Sequence, residues 1–539
     1  MSDYYDQTPE QRRQLRAQRN RRRQAQVRRR KLLLGLLVLG YVVYGVFVEK
    51  VFGIDRTRPT PVQSRADGVD CVALPPYKIF FIQLLNIAGL GPVFGPILGA
   101  VYGPAALLWV VFGCIFAGAV HDFLTGAMSL RYGAASYPEL IGRNLGKYAR
   151  WFMLVFTIWF MVLVGAVFVN GPAGLLAFKT GELLRSWEGG AAVLQWLEAC
   201  PLAVFCAGAD GTVSAGKVLA LFFSALIFSY YFVATILPID KIIGRIYPFF
   251  AILLLFMAFG LLAALLLNPQ YSILPNLRPA DFFTNLNPKG APLWPLLFVT
   301  IACGAISGFH ATQSPMMARC MRSEGQARLM FYGVMIAEGV LALIWVTIGL
   351  SFYDGDPAAL MAAGTPAVVV SKASEGLLGG LVGGTLVFLG VVILPISTGD
   401  TAFRTGRLIL ADVLRFEQGS LGRRIVLAVP LFLLGIYFAV GDFTAIWMAF
   451  GWTNQTLACV SLWAAAVWLR RRKRLHWVAT VPALFMTAVC GSYLFYFDKF
   501  PFRWPMTASV CMGLAASGLC FALFLARGGR MPEGDEAKF

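Results

Sequence analysis

Long apolar runs fill most of this sequence, and they restrict the fold more than any other feature. Hydrophobic residues make up 58% of the 539 residues and charged residues only 14%, and many runs are long enough to cross a hydrocarbon core of about 30 Å. This pattern excludes a set of soluble domains and predicts one all-α polytopic membrane domain. The runs predict about 13 spans, at residues 32–52, 79–102, 104–130, 151–178, 216–237, 247–268, 292–315, 328–352, 378–400, 425–441, 443–469, 477–497 and 505–526.

The net charge of +18 is concentrated in two kinds of segment. One is the polar N-terminal tail, residues 1–31, with its basic block Arg12–Lys31, and the other is the set of short loops between apolar runs. No soluble domain remains to present a basic face, so nucleic acid is not an expected partner, whereas membrane lipid is. Residues 527–539 form a second polar tail.

The basic loops predict the topology, because cytoplasmic loops carry an excess of Lys and Arg. The loops expected on the cytoplasmic side contain Arg143, Lys147 and Arg150; Lys241 and Arg245; Arg319, Arg322 and Arg328; residues 404–424; and residues 470–474. Counting back through the spans also places residues 53–78 inside, which would put the Arg-rich tail outside if 32–52 crosses the membrane. Either 32–52 lies in the interface or forms a hairpin, or the count is wrong elsewhere.

Two spans contain clusters of Gly, Pro and polar residues that a regular helix does not tolerate. NIAGLGPVFGPILGAVYGP (86–104) lies in the second span, and CGAISGFHATQSP (303–315) lies in the span five places later. Within a bilayer, such interruptions occur only where they are buried in protein or line a wet cavity. Transporters with two inverted five-helix repeats place one discontinuous helix in each repeat. The predicted fold is therefore a five-plus-five core with repeats 79–268 and 292–469, preceded by the segment 32–78 and followed by two helices within 477–526.

Unwound backbone at the two interruptions is expected to bind the substrate. Exposed N–H groups at half-helix N-termini favour an anionic group such as a carboxylate. Alternatively, the small residues only let helices pack closely, which applies most strongly to Gly304 and Gly308. The predicted substrate-binding residues are Asn86, Ala88, Gly89, Leu90, Gly91, Gly304, Ser307, Gly308, Phe309 and His310.

Ionisable residues inside spans are costly and are commonly functional. His310 is the first candidate for proton coupling, since packing alone does not call for an imidazole. His121 and Asp122 are further candidates, although they could instead form a polar pair at a helix end. Glu338 is the fourth, either as a proton carrier or as the structural partner of an Arg.

Oxygen-bearing side chains suited to Na⁺ follow the apolar run near residue 395. The ion-site candidates are Ser397, Thr398, Asp400 and Thr401. Asp400 and Arg404, at i and i+4, are better explained as a helical ion pair. In a later span, Asn454 and Gln455 are suited either to interhelical hydrogen bonds or to a cavity wall.

No catalytic or nucleotide-binding motif is visible, and the cysteines lack metal-ligand spacing. The chain is therefore predicted to be a secondary transporter rather than an enzyme, without cofactor or metal. Cys200 and Cys206 could form a disulfide if their loop faces an oxidising compartment. The oligomeric state does not follow from the sequence.

Five segments, NIAGLGPVFGPILGA, AGAVHDF, PLLFVTIACGAISGFHA, STGDTAFRTGRLILAD and FGWTNQTLA, resemble the signature segments of the carbon starvation protein A (CstA) family. The resemblance implies a multi-pass transporter of the bacterial inner membrane with a LeuT-like core of the amino acid-polyamine-organocation type. It also implies uptake of short peptides or pyruvate when carbon is scarce, in some members by proton symport. Family members often carry Gln where this chain has His121, and a Gly- and His-rich stretch where it has FFIQLLN.

These observations together predict a proton symporter for a small carboxylate-bearing nutrient, either a short peptide or pyruvate. One alternative is a Na⁺-coupled symporter of the same fold. Another is a nutrient-binding membrane sensor or structural subunit.

Overall fold

The structure, a computed structural model, describes residues 33–64, 72–206, 214–236, 243–268, 279–387, 390, 392, 394–414, 416, 420–439, 443–497 and 504–529. Over these residues the chain is helical and contains no β-strand. The principal helices are α1 (Leu33–Phe52), α2 (Pro76–Ile87), α3 (Gly91–Ala100), α4 (Ala105–Arg131), α5 (Tyr137–Leu145), α6 (Lys147–Ser186), α7 (Gly190–Ala199), α8 (Ala215–Ile236), α9 (Ile243–Leu267), α10 (Leu293–Thr300), α11 (Gly308–Ala318), α12 (Glu324–Phe352), α13 (Pro366–Leu378), α14 (Gly380–Val387), α15 (Leu394–Leu414), α16 (Leu421–Ala439), α17 (Phe443–Arg471), α18 (Trp477–Tyr496) and α19 (Met506–Arg527). Short helical turns cover Pro61–Ser64, Pro201–Cys206, Pro279–Phe283 and Pro357–Ala362.

Most of the predicted spans correspond to single helices. Nine helices of the described chain are long and apolar enough to cross a membrane, and the bent pair α2–α3 brings the number to ten. The predicted span over 378–400 corresponds to α14 (Gly380–Val387) and the first residues of α15 (Leu394–Leu414), with residues 388, 389, 391 and 393 outside the described residues. Gly379, with φ of 81°, ends α13 in the left-handed region that glycine readily adopts.

Several of the loops that were predicted to be cytoplasmic meet at one end of the helix bundle. The N–H of Leu74 donates to the carbonyl of Cys320 (3.2 Å), and Arg471 donates to the carbonyl of Arg143 (3.2 Å). Arg131 at the end of α4 pairs with Glu324 at the start of α12 (2.6 Å). We call these loops, residues 53–64, 131–147, 319–328 and 470–476, the basic end.

Helix α1 runs beside α4 along much of its length. The rings of Tyr44 and Phe116 are 4.9 Å apart, and those of Phe52 and Phe123 are 5.7 Å apart. The segment is one continuous helix of 20 residues that is long and apolar enough to cross a membrane, so the alternative of a hairpin is wrong for residues 33–52, while its crossing of the membrane stays a prediction. Helix α1 ends at the basic end and therefore begins at the opposite end. The tail 1–31 lies outside the described residues.

Both predicted interruptions are confirmed. Helix α2 ends at Ile87 and α3 begins at Gly91 with a bend of 47°, while α10 ends at Thr300 and α11 begins at Gly308. The two breaks lie against each other, because a Cβ on Gly91 would collide with the side chain of Cys303. The repeat boundaries themselves stay a prediction.

Candidate functional site

The carboxylate of Asp122 lies between two imidazoles inside the protein. Its Oδ2 is 2.7 Å from His310 Nδ1, and its Oδ1 is 2.8 Å from His121 Nδ1. All three side chains are completely buried. His310 stands in the first turn of α11, directly after the second break. The alternative that His121 and Asp122 form a helix-end pair is wrong, because α4 continues to Arg131.

Glu338 of α12 completes this group. Its Oε2 lies 3.2 Å from His310 Nε2, and both side chains are fully buried. Its ion-pair partner in the described chain is thus a histidine and not an arginine. The structure therefore brings together all four residues predicted for proton coupling, and we call His121, Asp122, His310 and Glu338 the polar cluster. It joins α4 to α11 and α12.

A residue of α17 holds the start of α11. The Oδ1 of Asn454 accepts the N–H of Phe309 (2.8 Å), and its Nδ2 donates to Ser307 Oγ (3.0 Å). Beside it, Gln455 donates to the carbonyl of Phe298 in α10 (2.8 Å). Of the two expectations for these residues, interhelical hydrogen bonding is the one the geometry shows. Sequence reasoning did not connect Asn454 to the second break, although an Asn in an apolar span was a visible signal.

The residues of the first break are buried, as those of the second break are. Ala88, Gly89 and Leu90 are buried, and Asn86 lies just before them with almost no exposure. A Cβ on Gly89 would lie 3.1 Å from Thr398 Oγ1 of α15. One of the four predicted ion-site residues is thus placed at the break.

Among the other ion-site candidates, Asp400 has a charged partner. Asp400 Oδ1 lies 3.5 Å from Arg404, which also donates to the carbonyl of Ala234 (2.6 Å). This is the helical ion pair that the sequence favoured. Thr401 is buried, and the side chain of Ser397 lies outside the described residues, as does that of Cys206, so the proposed disulfide is not tested.

Three side chains beside the second break have metal-ligating chemistry. The donor atoms of Cys303, His310 and Glu338 lie within 4.8 Å of one another. Each of the three residues offers one donor atom, so the set has one ligand fewer than the four of a structural Zn²⁺ site. His310 Nδ1 is hydrogen-bonded to Asp122, and its Nε2 lies within ion-pair distance of Glu338 Oε2.

Comparison with known proteins identifies the family. The family model described as carbon starvation protein CstA matches residues 32–207, 214–377 and 354–492. The chain belongs to the CstA family. Three of the five signature segments build the two breaks and supply His121, Asp122 and His310 of the polar cluster.

Relatives of this CstA family member include both named transporters and uncharacterized proteins. An uncharacterized membrane protein of Haemophilus influenzae is 46% identical over 61% of this chain and 91% of its own length. The peptide transporter CstA of Escherichia coli is 27% identical, covering 84% of this chain and 78% of the relative. The pyruvate/proton symporter BtsT of Escherichia coli is 26% identical, covering 85% and 80%.

Among solved structures, MhsT in complex with L-phenylalanine superposes with a TM-score of 0.52, covering 85% of this chain and 99% of that chain at 14% identity. This likeness confirms the LeuT-like fold and concerns the fold alone. With its membrane-spanning helices and its transporter relatives, this CstA family member is a multi-pass protein of the bacterial inner membrane.

Proposed function

We propose that this chain takes up a small carboxylate-bearing nutrient, a short peptide or pyruvate, together with protons. The observation that carries the proposal is the polar cluster, which is buried directly beside two facing helix breaks. The names of the Escherichia coli relatives, a peptide transporter and a pyruvate/proton symporter, supply the two substrate classes.

The substrate carboxylate binds at the breaks through backbone N–H groups. In each half-helix the first N–H groups have no partner within the helix, and the helix dipole favours an anion there. The N–H of Phe309 already donates to Asn454, so the remaining donors are those of neighbouring break residues. The residues proposed to line this site are Asn86, Ala88, Gly89, Leu90, Gly91, Gly304, Ser307, Gly308, Phe309 and His310.

His310 links substrate and proton. Its ring stands between Asp122 and Glu338, so a proton held there is shared with a carboxylate on either side. A substrate carboxylate that arrives at the adjacent break adds negative charge close by, in surroundings where charges interact more strongly than in water. Binding of the anion therefore favours binding of the proton, and departure of either one favours release of the other.

A Na⁺-coupled mechanism has one observation in its favour, the position of Thr398 Oγ1 beside Gly89. Hydroxyl and carbonyl oxygens at that place would suit Na⁺, but Asp400 is engaged by Arg404. Uptake that depends on Na⁺ at constant pH would identify this mechanism.

The test is uptake of labelled pyruvate and of a labelled dipeptide by purified protein in liposomes with an inward proton gradient. We expect one substrate to accumulate, and we expect an uncoupler or His310→Ala to abolish accumulation. His476→Ala is the matched control, because His476 lies at the basic end and contacts Thr480 instead of the polar cluster. If neither substrate accumulates under a proton or a Na⁺ gradient, the transport proposal fails and a sensor or structural role takes its place.

A further inference from the structure

One face of α4 carries polar side chains from the polar cluster towards the basic end. His121, Thr125 and Ser129 are four residues apart, so they lie one above another on the helix. All three are completely buried. At 1.5 Å per residue the stripe is about 12 Å long, and it ends close to Arg131. A face that served packing alone would be filled by apolar side chains.

Two of these residues hold polar atoms that lack a partner. His121 directs Nδ1 to Asp122, but its Nε2 makes no hydrogen bond among the described residues, and neither does Thr125 Oγ1. Ser129 differs, because its hydroxyl donates to the carbonyl of Ala135 (2.9 Å). The unpaired atoms are therefore confined to the part of the stripe nearest the cluster.

A third unpaired atom lies at the same depth on the neighbouring helix. Helix α11 packs against α4, and both run towards the basic end. Gln313 and Thr125 each lie three residues beyond the bonded pair of His310 and Asp122. Gln313 Oε1 is buried and, within the described chain, has no hydrogen-bond partner.

We propose that these atoms hold ordered water, and that this water carries the coupling proton between the polar cluster and the cytoplasmic side. Buried polar groups in proteins are bonded to protein or to ordered water, so unpaired ones in a polar surrounding mark water positions. The inference rests on the proposed proton coupling and adds its route. Thr125 and Gln313 act as positioning residues, since they hold water and do not contact the substrate.

The experiment measures how many protons enter with each substrate molecule, using a pH-sensitive dye trapped in the liposomes. Substrate counterflow is measured in parallel, because it requires no net movement of protons. Thr125→Val removes the hydroxyl with little change of shape. We expect it to lower substrate-coupled proton entry roughly tenfold and to leave counterflow and substrate affinity unchanged. Thr157→Val is the control, because Thr157 is as deeply buried but donates to the Met153 carbonyl of its own helix.

Two other results would contradict the inference in different ways. If Thr125→Val combined with Gln313→Leu moves protons at the wild-type rate, the route lies elsewhere while proton coupling stands. If the wild type accumulates substrate without moving protons, the proton coupling itself fails and the route fails with it.

Discussion

Asp122 uses both of its carboxylate oxygens, one for each neighbouring imidazole. This arrangement orients His310, whose other ring nitrogen faces Glu338. An amide at position 122 would retain only one oxygen acceptor and would present an NH₂ group to the second ring. The chemistry of the site therefore depends on a carboxylate, whereas His121 contributes a donor that another side chain could supply.

We expect Asp122→Asn to reduce proton-driven accumulation by roughly tenfold or more, since breaking a buried charged pair costs about 3–5 kcal/mol. We expect His121→Gln to retain most of the activity, because a Gln amide can also donate to a carboxylate. Uptake in liposomes at a fixed proton gradient measures both. Equal losses in the two variants would show that His121 has a role beyond donating to Asp122.

Asn454 caps the backbone at the start of α11, and its removal should loosen the second break. We expect Asn454→Ala to lower the free energy of unfolding by about 1–2 kcal/mol, and Asn454→Asp, which keeps the acceptor, to lower it less. Thermal unfolding in detergent is the measurement. The control is Ser461→Ala on the same helix, because Ser461 donates to the Leu457 carbonyl one turn away and not to the break. A control as unstable as Asn454→Ala would assign the loss to α17 in general.

The individual residues of the cluster could be predicted from sequence, but their partners could not. An ionisable side chain within an apolar run is visible from local sequence, and this identified His310, Asp122 and Glu338. Which of them touch depends on the rotation and depth of three helices that are distant in the chain. The same limit explains why Asn454 was not assigned to the break at Phe309.

At the scale of helices, the breaks depend on close approach as well as on flexible backbone. A Cβ on Gly308 would collide with Leu457 and with the backbone of α17 at Asn454. The first turn of α11 is thus pressed directly against α17, which is what lets Asn454 reach it. Gly and Pro predicted the breaks correctly because their effect on a helix is local.

We expect Gly308→Ala to destabilise the protein by about 1–3 kcal/mol through overpacking and to impair uptake. Gly260→Ala in α9 is the matched control, since a Cβ there meets nothing within 4 Å. In a helix interior this control should be neutral or stabilising by about 0.5–1 kcal/mol. Thermal unfolding and uptake of both variants test the prediction, which is wrong if the two melt alike.

At the scale of the whole molecule, ion pairs tie both ends of the bundle. At the basic end, Arg131 pairs with Glu324, and their side chains are only 10% and 1% exposed. Arg131 also donates to the Gly53 carbonyl and lies over the ring of Phe52. At the opposite end, Lys179 pairs with Glu375 (2.6 Å), but these side chains are 36% and 30% exposed. Since the basic end is the one predicted to face the cytoplasm, we expect release of substrate into the cytoplasm to require opening of the more buried connection.

We expect Arg131→Glu to destabilise the protein by about 3–5 kcal/mol, as for other broken buried pairs, and to change uptake. Exchanging the charges with Glu324→Arg in the same chain should restore part of the loss. Lys179→Glu should cost at most about 1 kcal/mol, because exposed pairs contribute little. Thermal unfolding and uptake of the three variants measure this, and an exchange that restores nothing would contradict a role for the ion pair itself.

The burial of the polar cluster between the two ends of the bundle has an electrical consequence. A pyruvate anion that crosses with one proton carries no net charge, whereas a zwitterionic dipeptide with one proton carries one positive charge. Moving one elementary charge through the membrane potential is worth about 2.3 kcal/mol per 100 mV. The voltage therefore drives entry of the peptide and leaves entry of the anion unaffected, so the current that accompanies uptake reports which nutrient the cluster serves.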